Sequence, residues 1–169
     1  MPASVAVDVA QRTHAVTVDV ELVEGDRGVL LALGSVLGGW SLHVLDGRLR
    51  YVHNLYGKER HEVVATEAVP GGRHELRFAF EKTTTLGGTA TLTYDGRTVG
   101  QGEIARFTLS QFNGTGAGLT CGYELGPAVG TGYAAPFAFT GTIHTATVEV
   151  ADRGDVDPVA LFQAIMATE

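Results

Sequence analysis

The sequence holds one cysteine in 169 residues, Cys121. A disulfide framework and a cysteine-rich zinc site are thereby excluded. Basic residues are scarce as well: 12 Lys and Arg stand against 19 Asp and Glu, a formal charge of −7. An acidic chain without a basic stripe is not built to hold nucleic acid, whose phosphates demand clustered cations. Charged residues make up only 18 % of the chain and apolar residues 44 %, which is not the composition of a disordered segment. No apolar run approaches the roughly 18 residues of a membrane-spanning helix. Met1 to Asp8 lacks a basic stretch followed by an apolar one, so it does not read as a signal peptide, and a cytoplasmic location is the default expectation. There is no Gly-x-Ser-x-Gly elbow, no phosphate loop and no His-x-x-x-His pair.

What is plentiful points to pleated sheet. The chain has 23 glycines, 20 valines, 19 threonines and 3 isoleucines, a mixture of β-formers and turn-formers. Val16, Val18, Val20 and Leu22 alternate with Thr17, Asp19 and Glu21; Leu76, Phe78 and Phe80 alternate with Arg77 and Ala79; Ala90, Leu92 and Tyr94 alternate with Thr91 and Thr93. Each pattern predicts a strand with one buried face. Gly28 to Gly34 is a continuous apolar run, as expected of a strand buried more completely. Further strands are expected near 39–45, 48–55, 59–65, 97–106, 118–124 and 141–150. Asp46-Gly47 and Asp95-Gly96 each separate two alternating runs, the signature of two-residue type I′ hairpins. The first turn pairs Val44 with Leu49 and Leu42 with Tyr51; the second pairs Leu92 with Val99.

Ten or so short strands predict an all-β fold: a two-sheet antiparallel β-sandwich of jelly-roll, concanavalin A-like type. Residues 1–151 form the sandwich. Residues 152–169 form a linker and a short C-terminal helix, with Asp157 as cap, Pro158 in the first turn, and Val159, Phe162, Ile165 and Met166 as an apolar stripe. That stripe would dock on the sandwich or on a partner.

No catalytic constellation emerges from the residues. The six histidines lie mostly in predicted strands and read as ordinary polar strand residues; no metal site and no cofactor is implied. Asp19 and Glu21 share a strand face, as paired acids in some sandwich-fold glycosidases do, but two acids at i, i+2 are also common on solvated strands. Cys121 sits among core-like neighbours and reads as inert packing. Asn113-Gly114-Thr115, Arg153-Gly154-Asp155 and the trio Asp152, Asp155 and Asp157 match a sequon, an adhesion tripeptide and a calcium loop only superficially. One binding feature remains. Trp40, Tyr51 and Tyr56 fall close together around the first hairpin, and exposed rings can stack on sugars. Trp40 and Tyr51 nonetheless share a face with Leu42 and Leu49, which favours the core.

Several segments, in order, give a specific likeness. Gly38-Gly39-Trp40-Ser41-Leu42 is followed by Asp46-Gly47-Arg48-Leu49-Arg50-Tyr51-Val52-His53-Asn54, then Gly87-Gly88-Thr89-Ala90-Thr91-Leu92. Asp95-Gly96-Arg97-Thr98-Val99-Gly100-Gln101-Gly102 comes next, then Gly118-Leu119-Thr120-Cys121-Gly122-Tyr123-Glu124-Leu125-Gly126-Pro127. The series ends with Pro136-Phe137 and Phe139-Thr140-Gly141-Thr142-Ile143. Over roughly residues 12–150 the chain resembles the C-terminal β-sandwich domain of bacterial arylsulfatases. The resemblance implies a non-catalytic accessory domain beside a large α/β sulfatase domain that carries the formylglycine and the divalent calcium. No catalytic residue carries over, since Cys121 is followed by Gly122-Tyr123-Glu124 rather than the nucleophile motif. Gly116-Ala117 replaces an acidic pair expected from the family, and the tail from Ala151 differs from it.

The leading expectation is therefore a non-enzymatic accessory or interaction sandwich in a sulfuric ester hydrolase context, its partner a sulfatase catalytic domain or a second copy. The alternative is a lectin-like carbohydrate-binding module using Trp40, Tyr51 and Tyr56. Last comes a glycosidase acting alone through Asp19 and Glu21.

Overall fold

The computed structural model describes residues 1–2, 6–107, 117–124 and 126–152, together with Val159 and Met166. Ten strands follow in chain order: β1 His14–Leu22, β2 Gly28–Ser35, β3 Gly38–Leu45, β4 Arg48–Leu55, β5 Glu59–Val64, β6 Gly72–Lys82, β7 Gly88–Tyr94, β8 Arg97–Ile104, β9 Leu119–Cys121 and β10 Thr142–Val150. They form two antiparallel five-stranded sheets. The first has the order β10-β1-β6-β7-β8 and the second β5-β4-β3-β2-β9. The sandwich expected from the period-two pattern is the fold observed. No helix among the described residues is long and apolar enough to cross a membrane. Val159 and Met166 are helical and exposed; the remainder of the expected C-terminal helix lies outside the described residues, as do the sequon and Arg153-Gly154-Asp155.

Alternation builds the core. Val16, Val18 and Val20 of β1, Leu76, Phe78 and Phe80 of β6, and Ala90 and Leu92 of β7 point inward and are fully or almost fully buried. Leu42 and Val44 of β3 and Leu49 and Tyr51 of β4 meet them from the other sheet. The Tyr51 ring lies flat on Phe78 across the interlayer gap, centroids 3.6 Å apart and planes 8° from parallel. Burial of this apolar surface, at about 25 cal/mol per Å², is the main force holding the layers together.

Both expected turns form, with positive φ at Asp46 and Gly47 and at Asp95 and Gly96. The first sets the expected register, Val44 opposite Leu49 and Leu42 opposite Tyr51. The second does not. A bulge between Leu92 and Thr93 moves the partner of Leu92 to Gly100, not Val99. The cause lies in the neighbouring sheet: Thr66 N–H donates to the Val99 carbonyl at 2.7 Å, and Gly100 lies against the backbone of Val64 and Ala65. The bulge bends β8 toward β5 and closes that side of the sandwich.

β2 is buried at every position, as its unbroken apolar run predicts. One face meets the core; the segment after β9 covers the other. Val29 N–H donates to the Phe137 carbonyl at 3.1 Å and Val36 N–H to that of Pro127 at 3.2 Å. Gly28, at φ +125°, lies so close to the Ala138–Phe139 backbone that a Cβ there would overlap the Ala138 carbonyl. Gly28→Ala must therefore push that segment off the sheet. We expect a stability loss of about 2–3 kcal/mol, read as a lowered urea midpoint.

Candidate functional site

The two sheets have different outer faces. That of the second sheet is closed over by Glu124 and residues 126–139. Glu124 is 1 % exposed; its carboxylate accepts the Val129 N–H at 2.6 Å and the Tyr133 hydroxyl at 2.8 Å. Ser41 Oγ lies 3.3 Å from the Tyr133 hydroxyl and 3.2 Å from His43 Nδ1, and the His43 and Tyr133 rings are 4.9 Å apart. Asn54 Nδ2 donates to the carbonyls of Val36 and Val129. Burial raises the Glu124 carboxyl above its usual range and lowers His43 to about 4. A serine, a histidine and a carboxylate thus occur together, but Ser41 and His43 are both wholly buried. The cluster clamps the segment and offers no approach to a substrate.

The outer face of the first sheet is open and mostly polar, because every second residue of its strands points outward and most of these are polar. One row across the strands runs Thr147, Thr17, Arg77, Thr93. The adjacent row runs Glu149, Ala15, Ala79, Thr91, Gln101. Two small residues, Ala15 and Ala79, make a floor between taller hydrogen-bonding side chains. An open depression of about 640 Å³ lies there, lined among others by Arg77, Ala79, Thr91, Gln101 and Glu149. A second, of about 390 Å³, lies farther along the same face, over Thr17, Asp19, Arg73, Glu75 and Thr147.

The two arginines of this face are engaged, and Lys82 stands at its rim. Arg77 donates to Thr17 Oγ1 and Glu149 Oε2, each at 2.7 Å. Arg73 grips Asp19 with two bonds, 2.9 and 2.6 Å, and this guanidinium holds the Asp19 carboxyl below its usual range. Asp95 accepts the Glu75 N–H at 2.8 Å and meets His74 Nδ1 at 2.7 Å; the two bonds lower its pKa.

The sequence-derived candidates fall as follows. Trp40 and Tyr51 lie inside the sandwich, 4 % and 0 % exposed, stacked on each other and, for Tyr51, on Phe78. Tyr56 is exposed, in the turn after β4 at φ +53°; the three rings do not share a surface. Asp19 and Glu21 do share the outer face, but Asp19 is bound to Arg73 and Glu21 lies 3.3 Å from His144. Cys121 corrects the expectation of a buried packing residue: it is exposed, because β9 is a three-residue strand at the sheet edge and presents it to an open cleft with Tyr123 and Ile143. The histidines also differ from the expectation of ordinary polar strand positions, since His14, His43 and His53 are buried. No group of three or more potential metal ligands converges among the described residues. Alternation places Arg77 and Thr91 on the outward half of their strands but assigns them no role, and Glu149 is not singled out, although the same period-two signal places it.

No family model matches the chain, and no curated protein matches its sequence. Solved structures do match. The sialidase CBM40 domain of Ruminococcus gnavus, a carbohydrate-binding module, superposes with a TM-score of 0.62 at 17 % identity, covering 90 % of this chain and 83 % of that one. The same domain bound to α2,3-sialyllactose gives 0.59, again at 17 % identity, covering 92 % and 83 %. Domains LG4-5 of the mouse laminin α1 chain give 0.57 at 18 % identity, covering 88 % and 41 %. At such identities the likeness is one of fold: this chain is a jelly-roll β-sandwich, and none of these matches connects it to arylsulfatases.

Proposed function

We propose that this chain is a lectin-like carbohydrate-binding module, without catalysis of its own, and that its ligand lies on the open outer face of the first sheet. The observation that carries the reading is the depression over Ala15 and Ala79, walled by Thr91, Gln101, Arg77 and Glu149 on rigid strands. Hydroxyl, amide and guanidinium groups held above a small-residue floor suit a ligand made of hydroxyls, because each sugar oxygen finds a donor or acceptor. The fold likeness to a domain solved with sialyllactose supports a glycan as the ligand class.

Ala79→Trp tests the placement. An indole on the floor fills the depression from outside and leaves the inward residues of β6 untouched. We expect at least a tenfold loss of glycan affinity by calorimetry, with the melting temperature within a few degrees of the parent. Binding that survives Ala79→Trp but fails in Tyr56→Ala would move the site to the turn after β4.

On this reading a partner enzyme would be carried on the same or a neighbouring chain. The arylsulfatase resemblance supplies one candidate for that enzyme, and residues 152–169 would then link the domain to its partner. β10 ends at Val150, and Ala151 N–H still bonds the Thr13 carbonyl at 2.9 Å, so the sandwich closes where that linker would begin.

A further inference from the structure

We infer that the pairing of Arg77 with Glu149 makes this face select uncharged glycans and reject anionic ones, with Glu149 as the specificity-determining residue. The inference rests on the glycan-binding reading and deepens it. A sugar carboxylate or sulfate needs a cation that can turn toward it. Arg77 is the cation at the centre of the larger depression, and its Nη1 already serves Glu149 Oε2 and Thr17 Oγ1, both at 2.7 Å. Arg73, beside it, is taken up by the bidentate bond to Asp19.

The surrounding charge has the same sense. Lys82 at the rim adds a third cation, but Asp19, Glu21, Glu75, Glu81, Glu103 and Glu149 all belong to this face. An approaching anion meets net negative potential before it reaches a guanidinium, and like charges brought together oppose binding. Neutral hydroxyls meet no such barrier and find Thr147, together with the hydrogen-bonding capacity that Thr91 and Gln101 keep beyond their own long 3.4 Å bond to each other. The strands themselves supply the ion pair: Ala15 of β1 stands opposite both Glu149 of β10 and Ala79 of β6, and no bulky side chain intervenes between the carboxylate and Arg77. The CBM40 neighbour was solved with a ligand carrying a sialic acid; on the same fold this chain carries the opposite preference. Sulfated sugars, the ligands an arylsulfatase partner would suggest, are rejected for the same reason.

The test is an array of neutral, sialylated and sulfated glycans, read with the parent, Arg77→Ala and Glu149→Gln. Glu149 lies on an exposed edge strand, so its amide variant should fold, and a thermal melt verifies this. The expected result is parent binding confined to neutral glycans, with Glu149→Gln raising the ratio of sialylated to neutral signal by about tenfold or more through the guanidinium it releases. A purely structural role for Glu149 would leave that ratio fixed. Preferential binding of sialylated or sulfated glycans by the parent, lost in Arg77→Ala, overturns the inference and leaves the glycan reading standing. An unchanged ratio in Glu149→Gln overturns the role of the pair. Silence of all three proteins across the array overturns the glycan reading itself, and the inference with it.

Discussion

Acidification from pH 7 toward 4 should unfold this domain, and three histidines set the slope. His14 lies among Phe78, Phe80 and Phe107, with centroids 5.4 to 5.7 Å away. His53 stacks on Phe107 at 4.1 Å, and His43 sits under the segment that covers the second sheet. Burial, the largest cause in each case, lowers His14 and His43 to about 4 and His53 to about 3. In the unfolded chain all three titrate near 6.5. Above that pH both states are neutral there and the native state keeps its full stability. Between 6.5 and about 4 the unfolded chain takes up protons the native state refuses, so stability falls by about 1.4 kcal/mol per pH unit for each histidine. Over that window His14 and His43 each remove about 3 kcal/mol, and His53 about 5 by pH 3. The sum is comparable with the 5–15 kcal/mol of a typical domain. Glu124, whose carboxyl burial raises, works the other way, since acid relieves its buried charge. Asp19, Asp26 and Asp95, lowered by their hydrogen bonds, join the histidines only at more acid pH. One carboxylate does not offset three imidazoles. Urea midpoints measured from pH 7.5 to 4.5 should stay level down to about pH 6.5 and fall steadily below it, and His53→Gln should make the fall about one third shallower. A midpoint flat down to pH 4.5 would show that these rings are not held neutral in the interior.

These histidines mark the boundary of what the sequence reveals. Strand faces were legible because a side chain on a strand has two directions only, and Val16, Val18 and Val20 declare theirs. The Asp-Gly turns were legible because few residue pairs accept positive φ twice. His43 and His53 break the pattern in a way no local rule anticipates. They point to opposite faces of the second sheet, yet both are buried: His53 faces inward and stacks on Phe107, while His43 faces outward and is covered because residues some eighty to ninety positions later cross the sheet's outer surface. The same long-range crossing explains Gly28, whose need for no side chain is set by Ala138, and Asn54, whose amide reaches Val129. The candidate site was half legible. Thr17, Asp19 and Arg77 were placed on a polar face by alternation alone. Which polar face stays open depends on where the segment after β9 folds, and that is decided by the Glu124 clamp rather than by any periodicity.

Tyr51 separates the two roles that the first hairpin suggested. Its ring fills the interlayer space against Phe78 and Trp40, so Tyr51→Ala should leave a cavity and cost about 3–5 kcal/mol, the range for large aromatic truncations. Tyr51→Phe should act in the opposite direction. The Tyr51 hydroxyl is buried without a hydrogen-bond partner among the described residues, and burial raises its pKa far enough to keep it protonated. Its removal relieves a desolvated polar group and should stabilise the domain by about 1 kcal/mol. Tyr94 provides the contrast on the same core. Its hydroxyl accepts the Leu49 N–H at 3.2 Å and donates to the Glu67 carbonyl at 3.1 Å. Tyr94→Phe strands a buried amide and should destabilise by about 1–2 kcal/mol. Two substitutions of identical chemistry in the same interior therefore carry opposite signs in a urea titration. A loss of stability in Tyr51→Phe equal to that in Tyr94→Phe would mean that the Tyr51 hydroxyl has a partner after all, and that the tyrosine is held by more than packing.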